Sequence, residues 1–291
     1  MPSMNREQLK ALVAIPLVVA IGVGFAWAGS SGAAFNGTIS AFATSVAVAF
    51  LFQWIAFVPS FLKRTEAYFD LVGSVTYIVA TAMALFSSKS DARSVLLATM
   101  VFVWAGRLGY FLFQRIQKAG KDGRFDDIKN CFVRFLAAWT LQGLWITFTA
   151  AAAWAAITSD YKVSLGGFAL LGSLVWLIGF VIEVVADAQK SQFKANPANE
   201  GKFIQTGLWS RSRHPNYFGE IVLWTGVAII AIPVLQGWQW LVLSSPFLVA
   251  LLLIYVSGIP LLEKRADEKW AGQDGYEAYK KNTPVLIPRL W

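Results

Sequence analysis

Ser210 to Glu220 reads SRSRHPNYFGE, and a long apolar run, Ile221 to Leu235, follows at once. This short tract holds Arg211, Arg213, the chain's one histidine (His214), Asn216, Tyr217 and Glu220. Lipid does not solvate such groups, so at the mouth of a membrane span they must face water, one another or a ligand. The run that follows is the seventh of eight apolar stretches near the roughly 20 residues that a crossing helix needs. They lie near 11–28, 38–62, 67–86, 94–113, 131–157, 165–186, 218–235 and 238–262. The reading is an all-α, polytopic bundle of about 7–8 spans forming one integral membrane domain. Only Gln236-Gly237 separates the seventh and eighth stretches, so they form a tight helical hairpin or one of them does not fully cross. Pro16, Pro59, Pro233, Pro246 and Pro260 sit in or near spans and read as kinks.

Composition agrees. Of the residues, 56% are hydrophobic and 14% charged, against about 25% charged in soluble domains. The net charge of +8 has no groove-reading motif to go with it, so it does not point to nucleic acid. One cysteine, Cys131, excludes an intrachain disulfide and a cysteine zinc cluster. With one histidine besides, the chain argues against a protein-only transition-metal site. Nothing in the sequence implies an oligomer.

The basic residues sort by loop. The N-terminus, residues 63–64, 115–129, 190–213 and the tail hold 20 of the 25 Lys and Arg, while the alternate loops hold three, Lys89, Arg93 and Lys162. The positive-inside rule then puts both termini in the cytoplasm, with segments 114–130, 187–217 and 263–291 on the cytoplasmic side. The first span has a basic start and Ala-Trp-Ala at 26–28, so a cleaved signal peptide competes with a first transmembrane helix.

Polar residues within spans carry the chemistry. On the sixth span Gly172, Gly179, Glu183, Asp187, Lys190 and Lys194 share one helical face. The glycines admit another helix or a ligand, and Glu183 is costly in lipid unless paired or hydrated. The face is either a helix-end charge network or the border of a polar cavity. On the fourth span Arg107 precedes Arg115 by two turns, roughly 12 Å, a spacing suited to an anionic ligand or to internal acids. In the loop after it, Asp122 and Arg124 read either as an ordinary turn or as ribose and phosphate contacts. Gln53, mid-span, bonds across helices or donates to a substrate carbonyl, and Asp70 reads as an interfacial cap. The 13 Trp and 22 Phe read as lipid-facing and interfacial rather than as a cofactor box. Glu263 to Tyr279 reads as one charged helix, followed by an extended coda through Pro284 and Pro288. A water-soluble anionic cofactor entering from the cytosol and a lipophilic substrate entering from the bilayer would both be served.

Trp104-x-x-Arg107, Gly120-Lys121-Asp122-x-Arg124, the tract Gly207 to Glu220 and the coda Tyr276-x-x-Tyr279 with Ile287-Pro288 together resemble the steroid 5-alpha-reductase superfamily, in particular its bacterial branch, from about Gln53 onward. The resemblance implies NADPH-dependent reduction of the 4,5 double bond of a 3-oxo-4-ene steroid, or of a related lipophilic enone. It implies hydride delivery to the carbon beta to the ketone and a donor that polarises the ketone oxygen. By motif match Asn216 and Glu220 hold the nicotinamide end, and Glu183 and Asp187 line the cofactor. Arg107, Arg115, Arg124, Lys190, Arg211, His214 and Arg265 meet phosphates, Tyr279 packs nearby, and Asp122 and Asn196 complete the set. Gln53 matches a glutamine close to the ketone. The pattern departs where animal reductases carry Gln-Glu and a tyrosine: here stand Gln53-Trp54 and Trp104. The proton donor is thus open among Gln53 with water, Tyr217 and Asp70. The His-Pro-Asn-Tyr tract also resembles sterol reductases and membrane methyltransferases. A methyltransferase of the isoprenylcysteine or phospholipid type, using S-adenosylmethionine, is therefore the competing reading, and a non-catalytic membrane scaffold is the third.

Overall fold

The computed structural model describes residues 5–120, 122–256 and 258–289. Its helices are α1 (Arg6–Gly29), α2 (Ala41–Leu62), α3 (Phe69–Phe86), α4 (Ala92–Ala119), α5 (Phe132–Thr158), α6 (Gly167–Ala195), α7 (Pro215–Ala231), α8 (Ser245–Leu251), α9 (Ile259–Trp270) and α10 (Asp274–Asn282). Two short strands, β1 (Phe35–Asn36) and β2 (Ile39–Ser40), pair antiparallel between α1 and α2. Eight segments among the described residues are long and apolar enough to cross a membrane, so the all-α membrane bundle stands.

The helix ends depart from the sequence reading for physical reasons. α4 and α6 continue beyond their apolar stretches because Gln114–Lys118 and Gln189–Lys194 are sound helix formers once water can solvate them. α4 stops on Gly120, which takes the left-handed conformation (φ 75°) and returns its N–H to Ile116. α6 stops before Pro197, which disfavours helical backbone at Asn196. The eighth span is not one regular helix: it opens as a 3-10 segment, Gly237–Ser244, continues as α8 and passes through a π turn, Leu252–Val256. The charged helix expected over 263–279 is two helices, α9 and α10, parted at Gly272 (φ 83°).

The chain packs as two compact units, residues 1–168 with 230–245, and 169–229 with 246–291. In the first, α5 is the axis and touches α1, α2, α3 and α4. Its second half, Ile146 to Thr158, is buried throughout, and the alanines at 150–153, 155 and 156 let neighbours close in. Buried threonines spend their hydroxyls on their own helix, as Thr147 does on Gly143 (2.9 Å). At one end of this unit Gln8 reaches Cys131, Lys129 binds Glu66 (2.9 Å) and Arg124 binds Asp70 (3.1 Å), so the N-terminus and the loops near 65 and 125 gather there. At the other end Ser88 bonds Ile157 (2.9 Å), Lys162 bonds Ile157 (2.9 Å) and Asp160 bonds Gly32 (3.0 Å). The grouping of loops by charge thus has a physical counterpart in this unit. Arg93, counted above with a loop, is instead 1% exposed. Its guanidinium donates to the carbonyls of Ile230 (2.6 Å), Ser164 (3.1 Å) and Val163 (3.3 Å).

Candidate cofactor site

In the second unit α6 and α7 run antiparallel and meet along their glycines. A Cβ on Gly226 would stand 2.5 Å from the Gly172 carbonyl oxygen. A Cβ on Gly179 would stand 2.6 Å from the Gly219 carbonyl. The glycines of the sixth-span ladder therefore admit a helix, α7. The same face carries Glu183 and Asp187, which are 3% and 6% exposed. Close backbone contact leaves little room for bulk beside them, and each carboxylate is held within protein rather than against lipid.

The segment between α6 and α7 folds back over the end of α6. Trp209 anchors it: its indole N–H donates to the Ala186 carbonyl (3.0 Å), and Lys190 stands over its ring at 4.4 Å. The Leu208 N–H finds Gln189 (2.9 Å), and Tyr279 of α10 donates to the Trp209 carbonyl (2.7 Å). Burial pushes the Tyr279 phenol well above its ordinary range, so it stays a donor. The coda is extended, as its prolines predict. Arg213 N–H meets Pro284 (2.9 Å) and Arg289 N–H meets Arg211 (3.0 Å), while the fully buried Ser212 hydroxyl donates to Leu286 (2.8 Å) and accepts from His214 N–H (3.2 Å).

Glu263, on α9, is the hub of this region. One carboxylate oxygen stands 2.8 Å from His214 Nε2 and the other 3.2 Å from the Arg213 guanidinium. The His214 ring lies parallel to that of Tyr217, 5.6 Å between centroids. Burial lowers the His214 pKa below its ordinary value and outweighs the upward pull of Glu263, with the charges of Lys190 and Arg213 adding to the lowering. Two buried nitrogens, His214 Nδ1 and Arg213 Nε, have no hydrogen-bond partner among the described residues. One turn on, Asp267 accepts from Tyr276 (2.8 Å) and Lys280 (2.6 Å).

The structure therefore gathers Glu183, Asp187, Lys190, His214, Tyr217 and Tyr279 around the α6–α7 contact and the segment folded over it. Asn216 and Glu220 stand half-buried on the first turns of α7. Arg211, Asn196 and Arg265 are exposed. Arg211 donates to Arg289 (3.1 Å), and Asn196 caps the turn at Pro197. Sequence reasoning missed Arg213, Trp209, Ser212 and Glu263 as site residues. An arginine and a histidine in succession ask for a carboxylate, but the one they use is 49 positions from His214.

The other expected residues lie in the first unit. Gln53 is fully buried; its Nε2 donates to Thr76 (2.8 Å), and its Oε1 has no partner among the described residues. Arg107 lies over the Phe111 ring at 5.3 Å. Arg115 and Arg124 both pair with Asp70, at 3.3 and 3.1 Å, and Arg124 Nε also donates to Asp122 (2.7 Å). Asp70 is thus the partner of two arginines rather than a simple cap. Burial would raise the Asp122 pKa, but Arg124 holds it below the usual range, and Asp70 and Asp122 in turn raise that of Arg124 against its own burial. Lys121 lies outside the described residues. Among the described residues no group of three or more His, Cys, Asp and Glu is placed to hold a metal ion.

A family model described as "Protein of unknown function (DUF1295)" matches residues 56–283, most of the chain. The chain belongs to the DUF1295 family. That family lies within the steroid 5-alpha-reductase superfamily. Among curated relatives, this DUF1295 member is 28% identical to 3-oxo-5-alpha-steroid 4-dehydrogenase 1 of Bos taurus over 121 residues, 42% of each chain. It is 31% identical to Delta(14)-sterol reductase of Arabidopsis thaliana over 91 residues, 28% of this chain and 24% of that one. It is 35% identical to Probable O-methyltransferase ustE of Ustilaginoidea virens over 66 residues, 23% of each. The chain spans less than half the length of each of these relatives. No solved structure matches.

Proposed function

We propose that this DUF1295 protein is a membrane reductase that uses NADPH to reduce the 4,5 double bond of a 3-oxo-4-ene steroid, or of a related lipophilic enone drawn from the bilayer. The observation that carries the reading is the polar constellation of the second unit. Two buried carboxylates, Glu183 and Asp187, share a unit with the cations Lys190 and Arg213, and two buried nitrogens there have no hydrogen-bond partner among the described residues. Such a donor set fits a dinucleotide, which brings phosphates for the cations and hydroxyls and an amide for the remaining groups. The names of two relatives, a steroid dehydrogenase and a sterol reductase, point the same way.

In this reading Lys190, Arg211, Arg213 and Arg265 meet the phosphates. Asn216 and Glu220 orient the nicotinamide end. NADPH, when bound, supplies a hydride to the carbon beta to the ketone. The Gln53 amide keeps one N–H on Thr76 and has a second for a ketone oxygen, so it can stabilise negative charge developing there. Reduction also consumes a proton, and Tyr217, a phenol on the first turn of α7, is the candidate source. Both termini and the cofactor-binding segments face the cytoplasm of a bacterial inner membrane.

Membranes containing the protein should oxidise NADPH only when a 3-oxo-4-ene steroid is supplied, and absence of turnover across several such steroids would sink the reading. Glu220→Ala should weaken NADPH binding at least about tenfold, the scale of one lost charged contact, while the protein stays folded in detergent. The match to an O-methyltransferase favours S-adenosylmethionine as a second reading. A larger thermal shift with that cofactor than with NADPH would select it.

A further inference from the structure

We propose that His214 reads a hydroxyl of the cofactor's ribose, with Nδ1 as the acceptor, and that Glu263 is the positioning residue that fixes the tautomer this requires. The inference rests on the NADPH reading above. Its argument is the wiring of one ring. Nε2 lies 2.8 Å from a carboxylate oxygen of Glu263. A carboxylate only accepts, so Nε2 must carry the proton. The same carboxylate takes the Arg213 guanidinium at 3.2 Å, a cation contact that keeps it ionised. In the neutral ring Nδ1 is then a bare lone pair, and it is buried with no donor among the described residues. The ring is held on either side of this choice: Tyr217 stacks on its face, and the His214 N–H is bonded to Ser212. An acceptor without a donor in a buried setting costs about 1–3 kcal/mol, which a ligand O–H recovers.

This role differs in kind from a phosphate contact. A phosphate oxygen only accepts, so it would face the bare Nδ1 lone pair unless the ring were protonated. The surroundings oppose protonation. Lys190 on α6 and Arg213 beside the ring are both cationic, and burial costs the charged form more than the single acid, Glu263 on α9, returns. Tyr217 on α7 and Tyr279 on α10 are uncharged at neutral pH.

The chain has one histidine, so selective 15N-histidine labelling of the full protein in detergent shows this ring alone. The expected spectrum has Nε2 protonated and Nδ1 bare, and NADPH shifts the Nδ1 resonance in the direction of an accepted hydrogen bond. NADPH affinity, followed by tryptophan fluorescence, should fall about tenfold as the pH drops and the ring protonates, the worth of one hydrogen bond. His214→Asn should flatten that slope. A protonated Nδ1 at neutral pH overturns the proposal. So does an affinity that rises on acidification, which is the signature of a phosphate contact, and so does NADPH binding that leaves Nδ1 unmoved. If NADPH does not bind by either readout, the cofactor reading falls and the ribose contact with it, while the tautomer spectrum still reports whether Glu263 fixes the ring.

Discussion

Gly219 of α7 faces Gly179 of α6 so closely that a Cβ on Gly219 would lie 2.7 Å from the Gly179 carbonyl oxygen and 2.7 Å from the Glu183 nitrogen. Both neighbours are backbone, which has no rotamer to yield. Gly219→Ala must therefore part the helices just where Glu183 leaves the contact. Overpacking of this kind costs about 1–3 kcal/mol. We expect a lower thermal midpoint in detergent together with weakened NADPH binding. Gly24→Ala is the control, since a Cβ there meets nothing within 4 Å. It should hold or raise stability, because alanine suits a helix better than glycine by about 1 kcal/mol. Equal effects from the two variants would remove the argument.

The Glu66–Lys129 pair gives the first unit a defined acid sensitivity. Glu66 is nearly buried and accepts from Lys129 (2.9 Å) and from the Asp122 N–H (3.0 Å). Burial alone would raise its pKa, but these contacts hold it below the ordinary carboxylate value and raise that of Lys129. A depressed carboxylate pKa means that the unfolded chain binds the proton more readily. The stabilisation is therefore complete above the ordinary glutamate range and is lost as pH falls through the folded value. Glu66→Gln should cost about 1–3 kcal/mol at neutral pH and flatten the acid limb of the unfolding curve. Thermal melts across an acid titration of both proteins test this.

These two sites mark how far the sequence could be read. The contact at Gly172 and Gly179 was legible because seven-residue spacing puts both on one face of a helix without knowledge of any partner. The gathering of residues near 8, 66 and 129 at one end followed from alternation of spans, which depends only on their number. Glu263 was not legible as the partner of Arg213 and His214, because pairing between distant segments leaves no periodic trace. Its own neighbours spoke only for a solvated helix. The 3-10 start of the eighth span escaped for a different reason: apolar composition sets that a segment is buried but is nearly silent on which helical hydrogen bond it makes.

Arg93 reads as a loop charge by position yet behaves as a core residue. One side chain satisfies the carbonyls of Ile230, Val163 and Ser164, joining the start of α4 to the end of α7 and to the stretch before α6. Arg93→Met keeps much of the volume and removes the donors, which strands those acceptors in a buried setting. The expected loss is about 1–3 kcal/mol, the cost of leaving buried acceptors unpaired. Arg93→Lys should recover little, because an ammonium is a compact point charge and cannot span carbonyls that the guanidinium reaches from two separate nitrogens. Unfolding of the three proteins in the same detergent separates charge from geometry: recovery by lysine would show that only the charge matters.

Ser212 ties the coda to the ring that the cofactor reading depends on. Its buried hydroxyl donates to the Leu286 carbonyl and accepts the His214 N–H, so one small group joins the residues before α7 to a strip more than seventy positions later. Ser212→Ala removes both bonds and leaves an N–H and a C=O without partners. Two backbone bonds nearby survive the change, Arg213 to Pro284 and Arg289 to Arg211, so the strip should stay in place but open more often. The expected cost is about 1–3 kcal/mol. Amide exchange should quicken at His214, Arg213 and Arg289 and stay unchanged at Trp209, whose N–H is held by the Thr206 carbonyl (3.2 Å) rather than by the coda. NADPH affinity should fall with it, since the His214 ring loses the anchor of its own backbone. Faster exchange with undiminished affinity would show that the ring is held by Glu263 and Tyr217 alone, and that Ser212 serves only the coda.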